Sequence, residues 1–341
     1  MRKLLFILLG FIFTLSAFAQ KDSFAGFYKG TIEGAKGYPV GSCPDLYAEV
    51  YRGPQGYRIK ILPAILSRAE SYYTMDNLKA EGDTIAFKGK SEYLDLEGRI
   101  TPKDIEAKGS YNGKPVSLSL KRYEYVSPTM GAIPPAGSIV LFDGKDTSKW
   151  EHEDGKPCCW KVADGAMTIN VDLKNEKGKK IYTNLFTKDS FGAFKLHLEF
   201  LIPTDAYDKL GQARNNSGII VGPYEMQILD SFGTEGAWNE CGSVYRQTPA
   251  QVNANLEPGA WQTYDIIFKP AEFNDGKLVK LPTFTAWING KRVQNETPIY
   301  YGTSLFPNKA ATFTHPQTPL KIQIQDHTNP LSFRNIWIKP L

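Results

Sequence analysis

The sequence predicts an all-β protein with two domains, a small antiparallel β-barrel or sandwich followed by a double-sheet jelly roll. Three observations indicate this fold class. Short segments of alternating apolar and polar residues recur along the chain, separated by turn residues. The 341 residues include 30 Gly, 22 Pro and 13% aromatic residues, which is typical of β-rich proteins with many loops. No segment shows the periodicity of an amphipathic helix of three turns.

Residues 1–19 are predicted to be a secretory signal peptide. The segment has a basic start, an apolar core and a small-x-small cleavage site, which are Arg2-Lys3, Leu4–Leu15 and Ala17-Phe18-Ala19. The apolar core is too short to cross a bilayer, so no membrane span is expected. No cysteine lies near the cleavage site, which argues against a lipoprotein anchor. We therefore expect an exported, soluble protein, periplasmic if the host is a Gram-negative bacterium.

Charge and cysteine content exclude some classes of protein. Without Arg2 and Lys3 the chain has 38 basic and 36 acidic residues, a net charge of about +2. No basic run interleaved with aromatic residues is present, so nucleic-acid binding is not expected. Export permits disulfides among the four cysteines, and one bridge to Cys241 is an option. Spacing does not assign a partner to the adjacent Cys158 and Cys159.

Residues 22–126 are predicted to form the small first domain. Tight turns separate its alternating segments, and the Asn-Gly turn within Tyr111–Lys114 is typical of a β-hairpin. No catalytic signature is found here, so a structural or partner-docking role is expected. The many tyrosines could belong to a core, a ligand pocket or a docking face: Tyr28, Tyr47, Tyr51, Tyr57, Tyr72 and Tyr73. Residues 127–137, SPTMGAIPPAG, are the predicted linker because their Pro and Gly residues break both periodicities.

Residues 138–341 are predicted to form the jelly roll, and two of its strands carry a polar row. In the strand from Tyr224 to Asp230, alternation places Glu225 and Gln227 on the face opposite Tyr224, Met226 and Ile228. In residues 321–327, alternation places Gln323, Gln325 and His327 together, opposite Ile322 and Ile324. A carboxylate and an amide side by side on a sheet face indicate a sugar-binding or catalytic surface.

Short motifs follow one another in order through this second domain. They are LFDGKDTSKW (141–150), WKVADG (160–165), FGAFKLHLEF (191–200), NSGI (216–219), YEMQILD (224–230), PGAW (258–261), ING (288–290), IQDH (324–327) and FRNIWIKPL (333–341). This ordered set resembles the 3-keto-disaccharide hydrolase domain family, formerly a domain of unknown function. The resemblance implies a concanavalin-like jelly roll, together with 3-keto-glucoside 1,2-lyase or 3-keto-2-hydroxy-glucal hydratase activity.

The chain departs from the family pattern at two arginines. Members often have an Arg soon after the Glu-Phe pair and another after NSGI, where this chain has Leu201 and Val221-Gly222. Arg214, just before NSGI, is a candidate substitute.

Glu225 and His327 are the predicted catalytic residues. His327 ends a polar row, and an imidazole can hold or release a proton near neutral pH. A strand-end hydrogen bond would also explain this histidine, and His197 is the second choice because it shares an alternation face with Glu199. Further residues are predicted to bind the substrate: Glu199, Arg214, Asn216, Ser217, Gln227, Asp230, Tyr245, Gln325 and Arg334.

Several of these residues have ordinary structural alternatives. Glu199 could lie on a solvated sheet face, and Asn216 and Ser217 could simply form a turn before a buried strand. Asp230 could be a turn former at a strand end, and Arg334 could latch the C-terminal strand.

The resemblance implies a substrate oxidised at C3 of a glucosyl unit. A base removes the acidified C2 proton, the enolate expels the aglycone from C1, and water adds to the resulting 3-keto-2-hydroxy-glucal. Glu225 and His327 would act as base and acid, in either order, while Gln227, Gln325 and Arg334 orient the sugar. A separate sugar 3-oxidoreductase would supply the ketone.

A divalent cation that polarises the C3 carbonyl is an open alternative. Its candidate ligands are Glu199, Glu225, Asp230 and His327, a donor set that suits several metals.

Two rival functions remain open at this stage. An ordinary glycoside hydrolase needs two carboxyl groups about 5–10 Å apart, which Glu199 and Glu225 could supply. A non-catalytic, lectin-like protein needs amides and aromatic rings, such as Tyr245 and Trp238, but no titratable pair.

Overall fold

The computed structural model describes residues 21–303 and 313–341, and the predicted signal peptide lies outside them. Strands dominate this part of the chain, and the all-β fold class predicted from the sequence is confirmed. Two short 3-10 helices, Val40–Ser42 and Gly211–Ala213, are the helical segments within the described residues. No helix in those residues is long and apolar enough to cross a membrane.

The first domain is a single antiparallel sheet that curls almost into a barrel. Nine strands of the described chain form it: β1 (Gly26–Glu33), β2 (Leu46–Gly53), β3 (Gly56–Leu62), β4 (Tyr73–Leu78), β5 (Ala80–Glu81), β6 (Thr84–Lys90), β7 (Leu94–Ile100), β8 (Asp104–Tyr111) and β9 (Lys114–Tyr123). Their order is β4-β3-β2-β1-β9-β8-β7-β6-β5. Gly89 of β6 lies against Met75 and Tyr73 of β4, so the two ends of the sheet meet.

Strict alternation explains the barrel interior. In β2, Leu46, Ala48 and Val50 are buried and join one apolar cluster with residues from the other strands. The predicted Asn-Gly hairpin joins β8 to β9, with Asn112 at φ 51° and Gly113 at φ 73°. Two successive residues with positive φ suit the twist of a two-residue hairpin.

The second domain is a sandwich of two antiparallel sheets. Its strands are β10 (Ile139–Phe142), β11 (Trp150–Glu151), β12 (Lys161–Ala163), β13 (Ala166–Thr168), β14 (Leu185–Thr187), β15 (Phe194–Leu201), β16 (Asn216–Val221), β17 (Tyr224–Leu229), β18 (Trp261–Lys269), β19 (Glu272–Asn274), β20 (Lys277–Lys280), β21 (Thr283–Ile288), β22 (Lys291–Pro298), β23 (Ile322–Ile324) and β24 (Ser332–Pro340). The large sheet has the order β12-β13-β24-β15-β18-β21-β22, with β10 also paired to β24. The small sheet has the order β11-β14-β23-β16-β17, and β19 and β20 form a separate hairpin.

The core of the sandwich lies between the two sheets. Leu196, Leu198 and Phe200 face it from the large sheet, while Met226 and Ile228 face it from the small sheet. The face of each sheet turned away from this core is its outer face. Burying one face of every strand fixes the register, so the outer-face residues follow directly from the alternation.

The first domain packs directly on the second. Phe27 and Leu66 of the barrel form an apolar cluster with Phe232 and Leu256 of the sandwich. A buried ion pair lies beside this cluster. In it, Arg214 Nε donates to Asp230 Oδ2 at 2.6 Å. The same guanidinium donates to the carbonyl of Arg52 in the barrel at 2.8 Å. The interface therefore combines apolar packing with a buried charge pair.

Residues 127–137, the predicted linker, are irregular but attached to the outer face of the large sheet. The Ser127 hydroxyl hydrogen-bonds to the Thr263 hydroxyl at 2.6 Å, and the Thr129 hydroxyl donates to Asp265 Oδ2 at 2.7 Å. The Gly131 N–H donates to Glu199 Oε1 at 2.6 Å. Broken periodicity predicts irregular structure here, but it carries no information about this docking.

All four cysteines of the sequence lie within the described residues, and all four are free. The bridge to Cys241 considered from the sequence is therefore not formed. Cys241 is instead a buried member of the sandwich core.

Candidate active site

Glu225 lies on the outer face of the small sheet, as the strand alternation predicts. Its strand, β17, is at the edge of this sheet and pairs with β16, where Ile220 is its direct partner. The carboxyl group reaches across to Gly218 of β16, because a Cβ built at Gly218 would stand 2.7 Å from Glu225 Oε1. Only a glycine leaves this space free, so the absence of a side chain at Gly218 makes room for the Glu225 carboxylate.

The Glu225 carboxyl is buried, with 4% of the residue exposed. Burial raises its pKa to about 7, while a hydrogen bond from the Thr303 hydroxyl and the charge of Arg246 act in the opposite direction. A carboxyl group with a pKa near neutrality is suited to proton transfer at physiological pH.

A cluster of amides adjoins Glu225 on the same face. Gln212 Oε1 accepts hydrogen bonds from Asn216 Nδ2 at 3.0 Å and from Gln227 Nε2 at 3.1 Å. The Tyr245 hydroxyl approaches the same oxygen at 3.4 Å. Within the described residues, the side-chain oxygens of Asn216 and Gln227 are buried without a hydrogen-bond partner. Two unpaired buried acceptors are suited to receive hydroxyl groups of a ligand.

The loop after β17 borders the site. Its backbone runs beside β17, since the Gln227 N–H donates to the Ser243 carbonyl at 3.1 Å and the Tyr245 N–H donates to the Glu225 carbonyl at 3.0 Å. This pairing sets Tyr245 beside Glu225. Trp238, in the same loop, is 45% exposed and can offer a ring to a sugar.

Arg246 belongs to this site but was missed in the sequence analysis. It follows Tyr245, and its guanidinium lies 5.2 Å from the centre of the Tyr245 ring. Arg246 sits in a loop, outside the strand alternation, so periodicity gives no signal for it. The one sequence signal for Arg246 is that it directly follows Tyr245, which was itself predicted to bind the substrate.

Gln325 also adjoins Gly218, because its N–H donates to the Gly218 carbonyl at 3.0 Å. Ser217, in contrast, is turned toward the core side of the sheet, where its hydroxyl donates to the Gln325 carbonyl at 2.7 Å. The prediction that Ser217 binds substrate is corrected, since strand alternation sends it to the opposite face from Glu225.

His327 is exposed and does not adjoin Glu225. Ile220 pairs with Glu225 on one side and with Gln323 on the other, so His327 is two strands across and four residues along. Standard strand spacings make this separation roughly 16 Å. The preceding Asp326 turns inward, where its Oδ2 accepts the Thr183 N–H at 2.8 Å. The predicted Glu225–His327 acid–base pair is therefore corrected.

Glu199 lies on the outer face of the large sheet, on the other side of the sandwich from Glu225. Arg334 Nε donates to its Oε2 at 2.6 Å, and Asn335 Nδ2 donates to its Oε1 at 3.0 Å. Burial raises its pKa, but hydrogen bonds from His197, Asn335 and Arg334 outweigh burial and hold that pKa at about 2. Glu199 is thus a permanent anion that anchors the linker, and its prediction as a substrate ligand is corrected.

Arg334 and His197 belong to that same anchoring cluster. The Arg334 guanidinium stacks 4.0 Å from the centre of the Trp261 ring, and His197 Nδ1 hydrogen-bonds to Asp265 Oδ1 at 3.0 Å. Arg334 therefore holds the C-terminal strand in place, as the structural alternative from the sequence expected. Neither Arg334 nor His197 reaches the small sheet.

Arg214 and Asp230 form the ion pair at the domain interface, so the prediction that they bind substrate is also corrected. The Arg214 guanidinium lies 4.8 Å from the centre of the Tyr51 ring of the barrel. Burial raises the pKa of Asp230 to about 6, against the charge of Arg214.

The predicted metal ligands Glu199, Glu225, Asp230 and His327 do not converge. They occupy opposite faces of the sandwich, the domain interface and the end of β23. Within residues 21–303 and 313–341, no group of three or more His, Cys, Asp or Glu side chains could hold a metal ion. These candidate ligands therefore do not form one metal site, because they lie in four separate regions of the fold.

Comparisons with solved structures found chains that are similar to the second domain. A candidate glycosyl hydrolase from Parabacteroides distasonis is 37% identical, with a TM-score of 0.53, and the match covers 60% of this chain and 84% of that one. A second candidate glycosyl hydrolase from the same organism is 21% identical, with a TM-score of 0.41, over 60% and 94% of the two chains. The alginate lyase Aly36B is 10% identical, with a TM-score of 0.35, over 62% and 98%.

A search of curated proteins gave no match. The family comparison matched residues 137–339, which contain the whole sandwich apart from its last two residues. This range includes Glu225, the amide cluster and the loop that borders them. The chain therefore belongs to the family of 3-keto-alpha-glucoside-1,2-lyase-like domains, and with it to the carbohydrate-processing enzymes.

Proposed function

We propose that this chain is an exported enzyme that cleaves 3-keto-glucosides by C2 proton abstraction and β-elimination, and that it hydrates the resulting 3-keto-2-hydroxy-glucal. The observation that carries the proposal is Glu225, a buried carboxyl group beside unpaired amide oxygens, with its pKa raised to about 7. Such a group can take a proton from a weak carbon acid and still be partly ionised at neutral pH.

In the first step, the Glu225 carboxylate removes the C2 proton of the 3-keto-glucosyl unit. The electrons of the C2–H bond form a C2–C3 double bond, and the carbonyl electrons move to O3. In the second step, the C3 carbonyl re-forms, a C1–C2 double bond develops and the C1–O bond to the aglycone breaks. The products are the 3-keto-2-hydroxy-glucal and the free aglycone.

The leaving oxygen needs a proton, and the protonated Glu225 can return the one it took. This assignment replaces His327, which lies too far from Glu225 to act with it. Addition of water across the C1–C2 bond would then give 3-keto-glucose, with Glu225 again exchanging the proton at C2.

The amide cluster would orient the sugar. The unpaired oxygens of Asn216 and Gln227 can accept sugar hydroxyl hydrogens, and Gln325 offers a further amide beside Gly218. Tyr245 and Trp238 supply rings at the border of the site. The C3 ketone of the substrate would come from a separate sugar 3-oxidoreductase.

An ordinary glycoside hydrolase would need a second carboxyl group near Glu225. Glu199, the partner considered from the sequence, lies on the other sheet and is held by Arg334. Asp326 follows β23 of the small sheet, but its carboxylate turns inward and accepts hydrogen bonds from Thr183. These positions favour the elimination route, which requires one base.

The test is to incubate the purified protein with a 3-keto-glucoside and, separately, with its unoxidised parent. Aglycone release and the ultraviolet absorbance of the transient enone are followed together. The proposal expects cleavage of the keto form alone, with the enone seen before hydration. Cleavage of both forms would indicate an ordinary glycosidase, and sugar binding without turnover would indicate a lectin.

A further inference from the structure

We infer that Arg246 is a catalytic residue of this site, whose guanidinium binds O3 of the keto-sugar and stabilises the negative charge that forms there. The inference rests on the proposed elimination at Glu225 and names the electrophile that such a reaction requires. The amide cluster can position hydroxyl groups, but none of its members carries a positive charge.

The backbone of Arg246 is held in an unusual conformation. Its φ is 58°, in the left-handed region that side-chain-bearing residues rarely adopt. Its N–H donates to the Trp238 carbonyl at 2.9 Å, and its carbonyl accepts the Tyr301 hydroxyl at 2.8 Å. Non-glycine residues in this region persist only where the surroundings fix them, and they are concentrated at functional sites. Both backbone groups of Arg246 are fixed in this way.

This conformation places the guanidinium at the border of the Glu225 site. The preceding residue, Tyr245, donates its N–H to the Glu225 carbonyl at 3.0 Å, and the guanidinium lies over the Tyr245 ring. Arg246 is also close enough to Glu225 for its charge to oppose the burial-driven rise of that pKa. The guanidinium therefore lies in the neighbourhood of the Glu225 carboxyl group.

Two other cations considered for this role pair with carboxylates away from Glu225. Lys321, on the small sheet side, pairs with Glu151 at 2.6 Å. Arg214, the candidate raised by the family pattern, pairs with Asp230 at the domain interface.

The charge balance of the reaction explains the need for Arg246. Before the first step, the negative charge is on the Glu225 carboxylate; after it, Glu225 is neutral and the charge is on O3 of the enolate. A fixed cation that faces both positions keeps the site neutral as the charge moves, without reorganisation of solvent. When the C1–O bond breaks, the electron pair on O3 re-forms the carbonyl and the leaving oxygen takes the proton of Glu225. The negative charge is then back on the Glu225 carboxylate.

The test compares Arg246→Met and Arg246→Lys with wild type on a 3-keto-glucoside, with Arg292→Met as an exposed control. We expect kcat to fall about 10²–10³-fold in Arg246→Met, as on removal of one oxyanion donor, and less in Arg246→Lys. Added guanidinium ion should restore part of the lost rate. The pH midpoint of the rate should rise in Arg246→Met, because a positive charge near Glu225 has been removed.

Two results would overturn the inference. Arg246→Met with kcat within threefold of wild type and an unshifted pH midpoint would remove Arg246 from catalysis. A loss of rate that is equal in Arg246→Met and Arg246→Lys, without guanidinium rescue and without a pH shift, would show that the charge is not used and would assign Arg246 a structural role only. In both cases wild-type cleavage of the keto form leaves the proposed function standing, whereas a wild type that cleaves neither form overturns both.

Discussion

Among the individual residues, Glu225 is a carboxyl group in an environment that opposes its ionisation. Glu225 is buried on the outer face of a sheet, a position where carboxylates are normally solvated. The loop beside β17 and the Thr303 hydroxyl cover it. The Thr303 hydrogen bond and the charge of Arg246 oppose the effect of burial on its pKa but do not cancel it.

Replacement of Glu225 by Gln should abolish catalysis and preserve the fold. The amide has the same shape and can still accept the Thr303 hydrogen bond, but it cannot take a proton from C2. We expect kcat on a 3-keto-glucoside to fall by about 10²–10⁴-fold. The matched control is Glu296→Gln, an exposed carboxylate paired with Lys269, which should leave kcat unchanged. Equal activity of the two variants would remove Glu225 from the mechanism.

The same residue should make folding stability depend on pH. The pKa of Glu225 is raised from 4.5 to about 7, so the folded state binds this proton more tightly than the unfolded chain. Its contribution is therefore complete below about pH 4.5 and is lost as the pH rises to about 7, by roughly 3 kcal/mol.

Urea unfolding of wild type and Glu225→Gln at pH 5 and pH 8 measures this effect. The variant should gain stability relative to wild type between these two pH values. A stability difference that does not change with pH would show that the raised pKa is absent.

For the strands, alternation predicted which face several residues of the candidate site occupy. A period of two residues with one buried face fixes which side chains share the other face, which is why Glu225, Gln227 and Gln325 were placed on an outer face from sequence. Alternation alone does not say which sheet a strand joins or what covers its outer face. Glu199 satisfies the same pattern, yet its strand lies in the other sheet and the linker covers it.

Loops and strand ends were harder to predict for a related reason. His327 lies three residues beyond Ile324, the end of β23, so its position is not fixed by strand pairing. Arg246 lies in a loop whose path is set by pairing with β17. Long-range backbone contacts decide the position of Arg246, and a single sequence does not contain them.

The close fit of β16 under Glu225 can be tested at Gly218. Gly218→Ala places a methyl group 2.7 Å from the present position of Glu225 Oε1, so the carboxylate must move while the backbone can stay. We expect kcat to fall by about tenfold or more, because even a small displacement of a catalytic group lowers the rate of the chemical step strongly.

The matched control is Gly192→Ala, where a Cβ would meet no atom within 4 Å. It should leave kcat unchanged. If Gly218→Ala keeps the wild-type rate, then the carboxylate position in the structure is not the catalytic one.

At the scale of the whole molecule, the two domains are expected to unfold together. Arg214 is buried between the Tyr51 ring of the barrel and Asp230 of the sandwich. Removing one member of a buried ion pair leaves an uncompensated charge, so Arg214→Met should destabilise the protein by about 3–5 kcal/mol. The double variant Arg214→Met with Asp230→Leu should recover much of that loss.

Tryptophan fluorescence gives the readout for this coupling, because all six Trp residues lie after residue 149, in the sandwich. Its unfolding transition should coincide with that of far-ultraviolet circular dichroism, which reports both domains. Separate transitions in wild type would show that the interface does not couple the domains. The Arg214 guanidinium donates a hydrogen bond to the carbonyl of Arg52, 162 positions earlier in the chain, and no local sequence pattern reveals such a contact.

The central claim is that cleavage begins with removal of the C2 proton by Glu225. The most direct measurement is single-turnover cleavage of a 3-keto-glucoside carrying deuterium at C2, compared with the same substrate carrying hydrogen. We expect deuterium to slow the chemical step several-fold in wild type. We expect Glu225→Gln to cleave both substrates far more slowly than wild type does. Equal single-turnover rates for the two substrates would contradict the central claim, because C2–H cleavage would then not be part of the step that releases the aglycone.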